Sequence, residues 1–66
     1  MLEIFYTADG EKKSMQFKDP AAFVANLQLE VPALQDHYRV DNVLINGQKD
    51  IDFKGKTVVD LFNFYL

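Results

Sequence analysis

The side chains with the most evident chemical potential are the carboxylates of Asp41, Asp50 and Asp52, which bracket a turn, and the adjacent pair Asp36 and His37. Carboxylates brought together across a hairpin could hold a hard, oxygen-preferring cation. The spacing works against that use, because the expected register sets Asp41 on the opposite face from Asp50 and Asp52, and no glycine-centred calcium loop is present. A solvated strand face accounts for all three. His37 could act as a general base oriented by Asp36, but neighbours in sequence rarely reach the geometry that such a pair needs. Ser14 and the threonines fall in strand or cap contexts. There is no Gly-x-Ser-x-Gly elbow and no glycine-rich phosphate loop. The chain therefore reads as non-enzymatic, with no catalytic residue, metal ligand or cofactor-binding residue.

Composition narrows the classes further. At 66 residues the chain has room for one domain, residues 1–66, since chains of this size bury only about 60% of their unfolded surface. It has no cysteine to form a disulfide, and its single histidine has no thiolate partners for a structural zinc site. Packing must supply the stability. A hydrophobic share of 48% and an aromatic share of 14% provide enough apolar surface to offset chain entropy, which argues against disorder. Seven basic residues are scattered among ten acidic ones, for a net charge of −3, which argues against a nucleic-acid footprint. The start, Met1-Leu2-Glu3-Ile4-Phe5-Tyr6, has neither a basic lead nor a long apolar run. The reading is of no signal peptide, no membrane span and a cytoplasmic location.

The elements that would carry these residues follow from local signals. Two β-prone runs flank Asp9-Gly10, a pair suited to the positive φ angles of a type I′ turn, and so predict a hairpin over residues 2–17. Its register sets Tyr6 opposite Lys13, Ile4 opposite Met15 and Leu2 opposite Phe17, which makes one face apolar. Asp19-Pro20 predicts a helix start, with Asp19 as N-cap and Pro20 in the first turn. That helix runs to about Leu29, with Ala21, Phe23, Val24, Leu27 and Val31 along its buried stripe. Residues 32–37 are expected to add a short second helical turn, with Leu34 and Tyr38 packed inward.

A second hairpin is predicted from Arg39 to Phe53 around Asn46-Gly47. One extra residue in its loop, or a bulge after Gly47, would place Val43, Ile45, Ile51 and Phe53 on a common face. Leu44 would then point outward beside Asn42, Asp50 and Asp52. Thr57 and Asp60 form a capping-box start for a last helix whose inner stripe is Val58, Leu61, Phe62 and Tyr65.

The resulting fold class is α+β, in the order ββαββα: a four-stranded, mostly antiparallel sheet with helices packed on one face. Three apolar side chains do not fit its core. Phe5 lies on the polar sheet face with Leu44 near it, and Phe64 lies on the outer side of the last helix. Together they form the possible interaction surface.

Leu2-Glu3-Ile4-Phe5-Tyr6, Tyr38-x-Val40, Asn46-Gly47-Gln48, Ile51-Asp52-Phe53-x-Gly55 and Asp60-Leu61-x-Asn63-Phe64 resemble a family of short proteins of lactic acid bacteria and streptococci, a domain of unknown function. The likeness covers both ends of the chain but not the helical region between them, and it implies no activity. In layout, the opening hairpin, the helix and Val43-Leu44-Ile45-Asn46-Gly47 are also similar to ubiquitin-like β-grasp domains. A β-grasp sheet needs a final strand beside the first, which residues 62–66 would have to supply; without it the layout is a truncated β-grasp, the alternative fold. The poor alternation there favours a helix. The functional expectation is a small protein-interaction or regulatory module that binds a protein partner or a second copy of itself. The alternatives are a nucleic-acid-binding accessory protein and a small-ligand-binding protein.

Overall fold

The computed structural model describes residues 1–66. Its elements are β1 (Leu2–Ala8), β2 (Glu11–Phe17), α1 (Pro20–Leu27), β3 (Arg39–Ile45), β4 (Gln48–Lys49) and α2 (Val58–Tyr65). The strands form one sheet in the order β2-β1-β3-β4, and every neighbouring pair is antiparallel. Both helices pack on one face, so the architecture is α+β with the ββαββα order. Residues 58–65 are helical, and no closing strand forms there.

The first hairpin has the predicted register, with Leu2 opposite Phe17, Ile4 opposite Met15 and Tyr6 opposite Lys13. Asp9 at φ 53° and Gly10 at φ 85° make the turn. Alternation then separates the two faces of β1. Leu2, Ile4, Tyr6 and Ala8 are buried, whereas Glu3, Phe5 and Thr7 are only half-buried. The buried set meets Phe23 of α1, Val58 and Leu61 of α2, Val40 and Val43 of β3, and Leu34 from the segment between α1 and β3.

Asp19 caps α1 as predicted, its carboxylate accepting from the Ala22 N–H at 2.8 Å. The helix stops at Leu27 with Gln28 as its cap, two residues before the predicted end. Ala21 is exposed and Val31 is 83% exposed, so neither belongs to the buried stripe. No helix forms over residues 32–37, where a single turn closes as the Tyr38 N–H donates to the Gln35 carbonyl at 3.2 Å. Instead the Asn26 side chain accepts from the Ala33 N–H at 2.9 Å and draws the chain back, which seats Leu34 in the core without a helix. Tyr38 stacks on Tyr6 with ring centroids 5.7 Å apart.

The second hairpin departs from its predicted form. Asn46 at φ 52° and Gly47 at φ 82° make a plain two-residue turn, and Ile45 faces Gln48 with no added residue. The conflict between the two arms is resolved by ending the strand early. β4 stops at Lys49, one more ladder bond joins the Asp50 N–H to the Val43 carbonyl, and Asp50 then turns the chain by accepting from the Asp52 N–H at 3.2 Å. Ile51 is left 70% exposed, while Phe53 folds back against the core. In this register Asp50 falls opposite Val43, not on the outward face with Leu44.

The irregularity expected after Gly47 lies instead in the β1–β3 pairing. Phe5 faces Asn42 but Tyr6 faces Val40, so Asp41 is the extra residue of a bulge in β3. Strict alternation would send Val40 to the face opposite Val43. The bulge returns both to the core, and both are buried. Beyond the excursion of residues 50–55, the chain rejoins β3. The Val40 N–H donates to the Lys56 carbonyl and the Val58 N–H to the Tyr38 carbonyl, with Arg39 bridged to Thr57. The second side of β3 is therefore occupied at both of its ends.

Candidate functional site

The open face of the sheet is built from the odd residues of β1 and the even residues of β2. Three cross-strand rows lie on it. Gln16, Glu3, Leu44 and Lys49 form the first, Ser14, Phe5 and Asn42 the second, and Lys12, Thr7 and Arg39 the third. Phe5 and Leu44 are diagonal neighbours in adjacent strands, close enough for an aromatic ring to contact a leucine side chain. Polar side chains surround the pair on every side. Gln16 Nε2 donates to Glu3 Oε2 at 3.4 Å, and Thr7 Oγ1 donates to Asp41 Oδ2 at 2.6 Å, with the Arg39 Nε 3.8 Å from the same carboxylate.

Phe64 lies elsewhere. It is 43% exposed on α2, in the helical layer, with its ring edge-on to Phe53 at 5.6 Å and to Tyr65 at 5.1 Å. Of the three predicted surface residues, the structure brings Phe5 and Leu44 together and leaves Phe64 on the other side of the molecule.

Two of the carboxylates that first suggest chemistry, those of Asp41 and Asp50, serve local structure. Asp41 is held by Thr7 and Arg39. Asp50 accepts from the Tyr65 hydroxyl at 2.6 Å as well as from the backbone of Asp52. No group of three or more His, Cys, Asp or Glu side chains lies close enough to hold a metal ion. The cleft between β3 and the 50–55 excursion measures about 200 Å³ and is lined by Val43, Lys49, Asp50, Phe53 and Gly55 among others. His37 stands edge-on to Tyr38, with centroids 5.0 Å apart, and makes no hydrogen bond to Asp36.

Two groups titrate away from their ordinary values. The backbone N–H groups of Lys56 and Thr57 hold the Asp60 carboxyl below the usual carboxylate range, as the closing half of the capping box that starts α2. Burial pushes the Tyr65 phenol up, and the hydrogen bond to Asp50 adds to the rise. An acid held neutral stabilises the fold below its unfolded value, about pH 10 for tyrosine, and that contribution is lost as the pH climbs beyond it. Between pH 8 and 11, wild type is therefore expected to lose more urea resistance than Tyr65→Phe, since Tyr6 and Tyr38 are common to both. At neutral pH the variant is expected to be less stable by about 1 kcal/mol, for one partly solvated hydrogen bond. Equal pH profiles for the two proteins would contradict this role of Tyr65.

The model of the family described as Domain of unknown function (DUF4649) matches residues 2–66. The chain belongs to that family. The match includes both hairpins and both helices, so the open sheet face, the bulge at Asp41 and the capping box at Thr57 all lie within the family's domain. Neither the curated proteins nor the solved structures contain a match. No helix is long and apolar enough to cross a membrane.

Proposed function

We propose that this domain is a non-enzymatic protein-interaction module that binds through the open face of its sheet, with Phe5 and Leu44 at the centre of the contact. One observation carries this reading: two apolar side chains are diagonal neighbours in a polar surround, on the sheet face that neither helix covers. An apolar centre with a polar rim is the usual anatomy of a protein–protein contact. The charge arrangement also favours a protein partner over nucleic acid. Glu3 and Asp41 interleave with Lys12, Arg39 and Lys49 on this face, so no field of a single sign forms. The location that goes with this reading is the cytoplasm.

The test compares wild type with Phe5→Ser, Leu44→Ser and Phe64→Ser as tagged baits in the lysate of the source cell. A protein retained by wild type and by Phe64→Ser, but reduced at least tenfold with the first two, is the expected result. Circular dichroism should confirm that all four fold. Equal retention by all four would place the contact elsewhere.

A further inference from the structure

The sheet has one long uncovered edge. β2 is its outer strand and is solvent-exposed over most of its length, whereas the opposite edge is the two-residue β4. Because Ala8 and Glu11 flank a two-residue turn, they form a hydrogen-bonded pair, and the alternation that follows turns Lys13, Met15 and Phe17 toward β1 as well. The N–H and C=O groups of Lys12, Ser14 and Gln16 therefore point away from the sheet, free to pair with another strand.

We infer that the occupant of this edge is a second copy of the chain, its β2 paired antiparallel about a two-fold axis through Ser14, which joins two four-stranded sheets into one. The inference names a partner for the interaction module proposed above and rests on that reading only in taking the domain to be a binding module, since the edge adjoins the open face without including Phe5 or Leu44.

The register follows from charge. With the axis at Ser14, Lys12 lies opposite Gln16 of the second copy, Lys13 opposite Met15 and Glu11 opposite Phe17, and each of the three free residues exchanges both of its hydrogen bonds with the residue facing it. No two like charges meet. Within each copy Gln16 bonds Glu3, so Lys12 extends a row in which the side chain next beyond Gln16 is the other copy's Glu3 carboxylate. Other registers are opposed. An axis at Lys12 or at Lys13 sets that lysine against itself, and an axis at Met15 sets Lys12 against Lys18. An axis at Gln16 leaves Lys12 outside the ladder. Edge lysines commonly block strand pairing; in β2 their positions permit one self-pairing and block its neighbours. The small Ser14 side chain lets the two strands meet between the flanking Phe5 rings.

The chain contains no cysteine, so single-cysteine variants report the geometry directly. Residues paired in this way lie about 5.5 Å apart at Cα, within the span of a disulfide of roughly 4.4–6.8 Å. Under mild oxidation, Ser14→Cys is expected to cross-link at least tenfold faster than Val31→Cys, an exposed loop control. A mixture of Lys12→Cys and Gln16→Cys should cross-link faster than either alone. Sedimentation velocity of the full chain should show a concentration-dependent dimer that Ser14→Pro abolishes with circular dichroism unchanged, because the N–H removed is one that β1 does not use. A wild type that stays monomeric at the highest attainable concentration overturns the inference, as does Ser14→Cys linking no faster than the control. A dimer lost in Phe5→Ser but not linked through Ser14→Cys also overturns the edge pairing while leaving the face reading intact. Rapid Ser14→Cys linking with unaltered partner capture by Phe5→Ser does the reverse.

Discussion

Phe23→Ala is expected to leave the chain largely unfolded in water at room temperature. Phe23 is the largest fully buried side chain, and it joins the two helices to the sheet. Its ring stands edge-on to Phe17 of β2 at 5.5 Å and to Tyr65 of α2 at 6.2 Å. Truncating a buried phenylalanine to alanine costs about 3–5 kcal/mol in transfer and cavity terms. A domain of this length has a total stability of about 3–10 kcal/mol. The substitution thus removes a large part of what is available, with no disulfide or second core to compensate. Far-UV circular dichroism with urea titration reads the outcome directly, and Phe23→Leu, which keeps most of the volume, should retain a cooperative transition. A cooperative Phe23→Ala transition within about 1 kcal/mol of wild type would show that the core does not depend on this ring.

Gly55→Ala is expected to have the next largest effect, for a reason unrelated to backbone freedom. A Cβ at this position would lie 2.5 Å from Asp60 Cβ and 2.7 Å from Phe53 Cε1. The chain passes so close to the start of α2 that only a hydrogen fits. Overpacking of this kind costs about 1–3 kcal/mol. Here the displaced atoms belong to two structural devices at once: the carboxylate that accepts from the Lys56 and Thr57 N–H groups, and the ring that closes the 50–55 excursion. A urea midpoint lowered well below that of wild type, with the same slope, is the expected observation. At Gly10, by contrast, the added Cβ meets nothing within 4 Å, and the limit is the positive φ of the turn. An unchanged midpoint for Gly55→Ala would mean that the excursion can move aside at no cost.

The parts of this fold that were legible in the sequence are those fixed by short-range chemistry. Asp9-Gly10 with clean alternation on both sides determines a register, Asp19-Pro20 a helix start, and Thr57 with Asp60 a capped one. Phe5 and Leu44 were legible as outward-facing for the same reason, since alternation assigns every strand residue to a face. The second hairpin departs from its expected form because alternation presumes that both arms remain strands and that Ile51 is buried. The chain instead gives up Ile51 and turns at Asp50, using a side-chain acceptor that a two-residue periodicity does not register. The bulge at Asp41 left a trace that was open to reading, since Val40 and Val43 are spaced for opposite faces although both are apolar. The early end of α1 depends on Asn26 capturing the Ala33 N–H, a contact across seven residues that helix propensity does not encode. Phe64 looked like a partner of Phe5 and Leu44 because both elements show outward apolar residues, and only the layering of helices against sheet separates them.

Although the chain lays out two hairpin–helix units in succession, the sheet does not divide along that line. β1, from the first unit, is an interior strand bonded to β2 on one side and to β3, from the second unit, on the other. A cut between β2 and β3 would leave residues 1–38 with a lone two-stranded hairpin, which is marginal in water, and residues 39–66 with a strand whose only partner of regular form is two residues long. Neither piece retains both walls of the core, because Leu2, Ile4 and Phe23 lie on one side of such a cut and Val40, Val43, Val58 and Leu61 on the other. The repeated plan is thus a feature of chain order alone: each half supplies one wall of a core that closes only when the two are together.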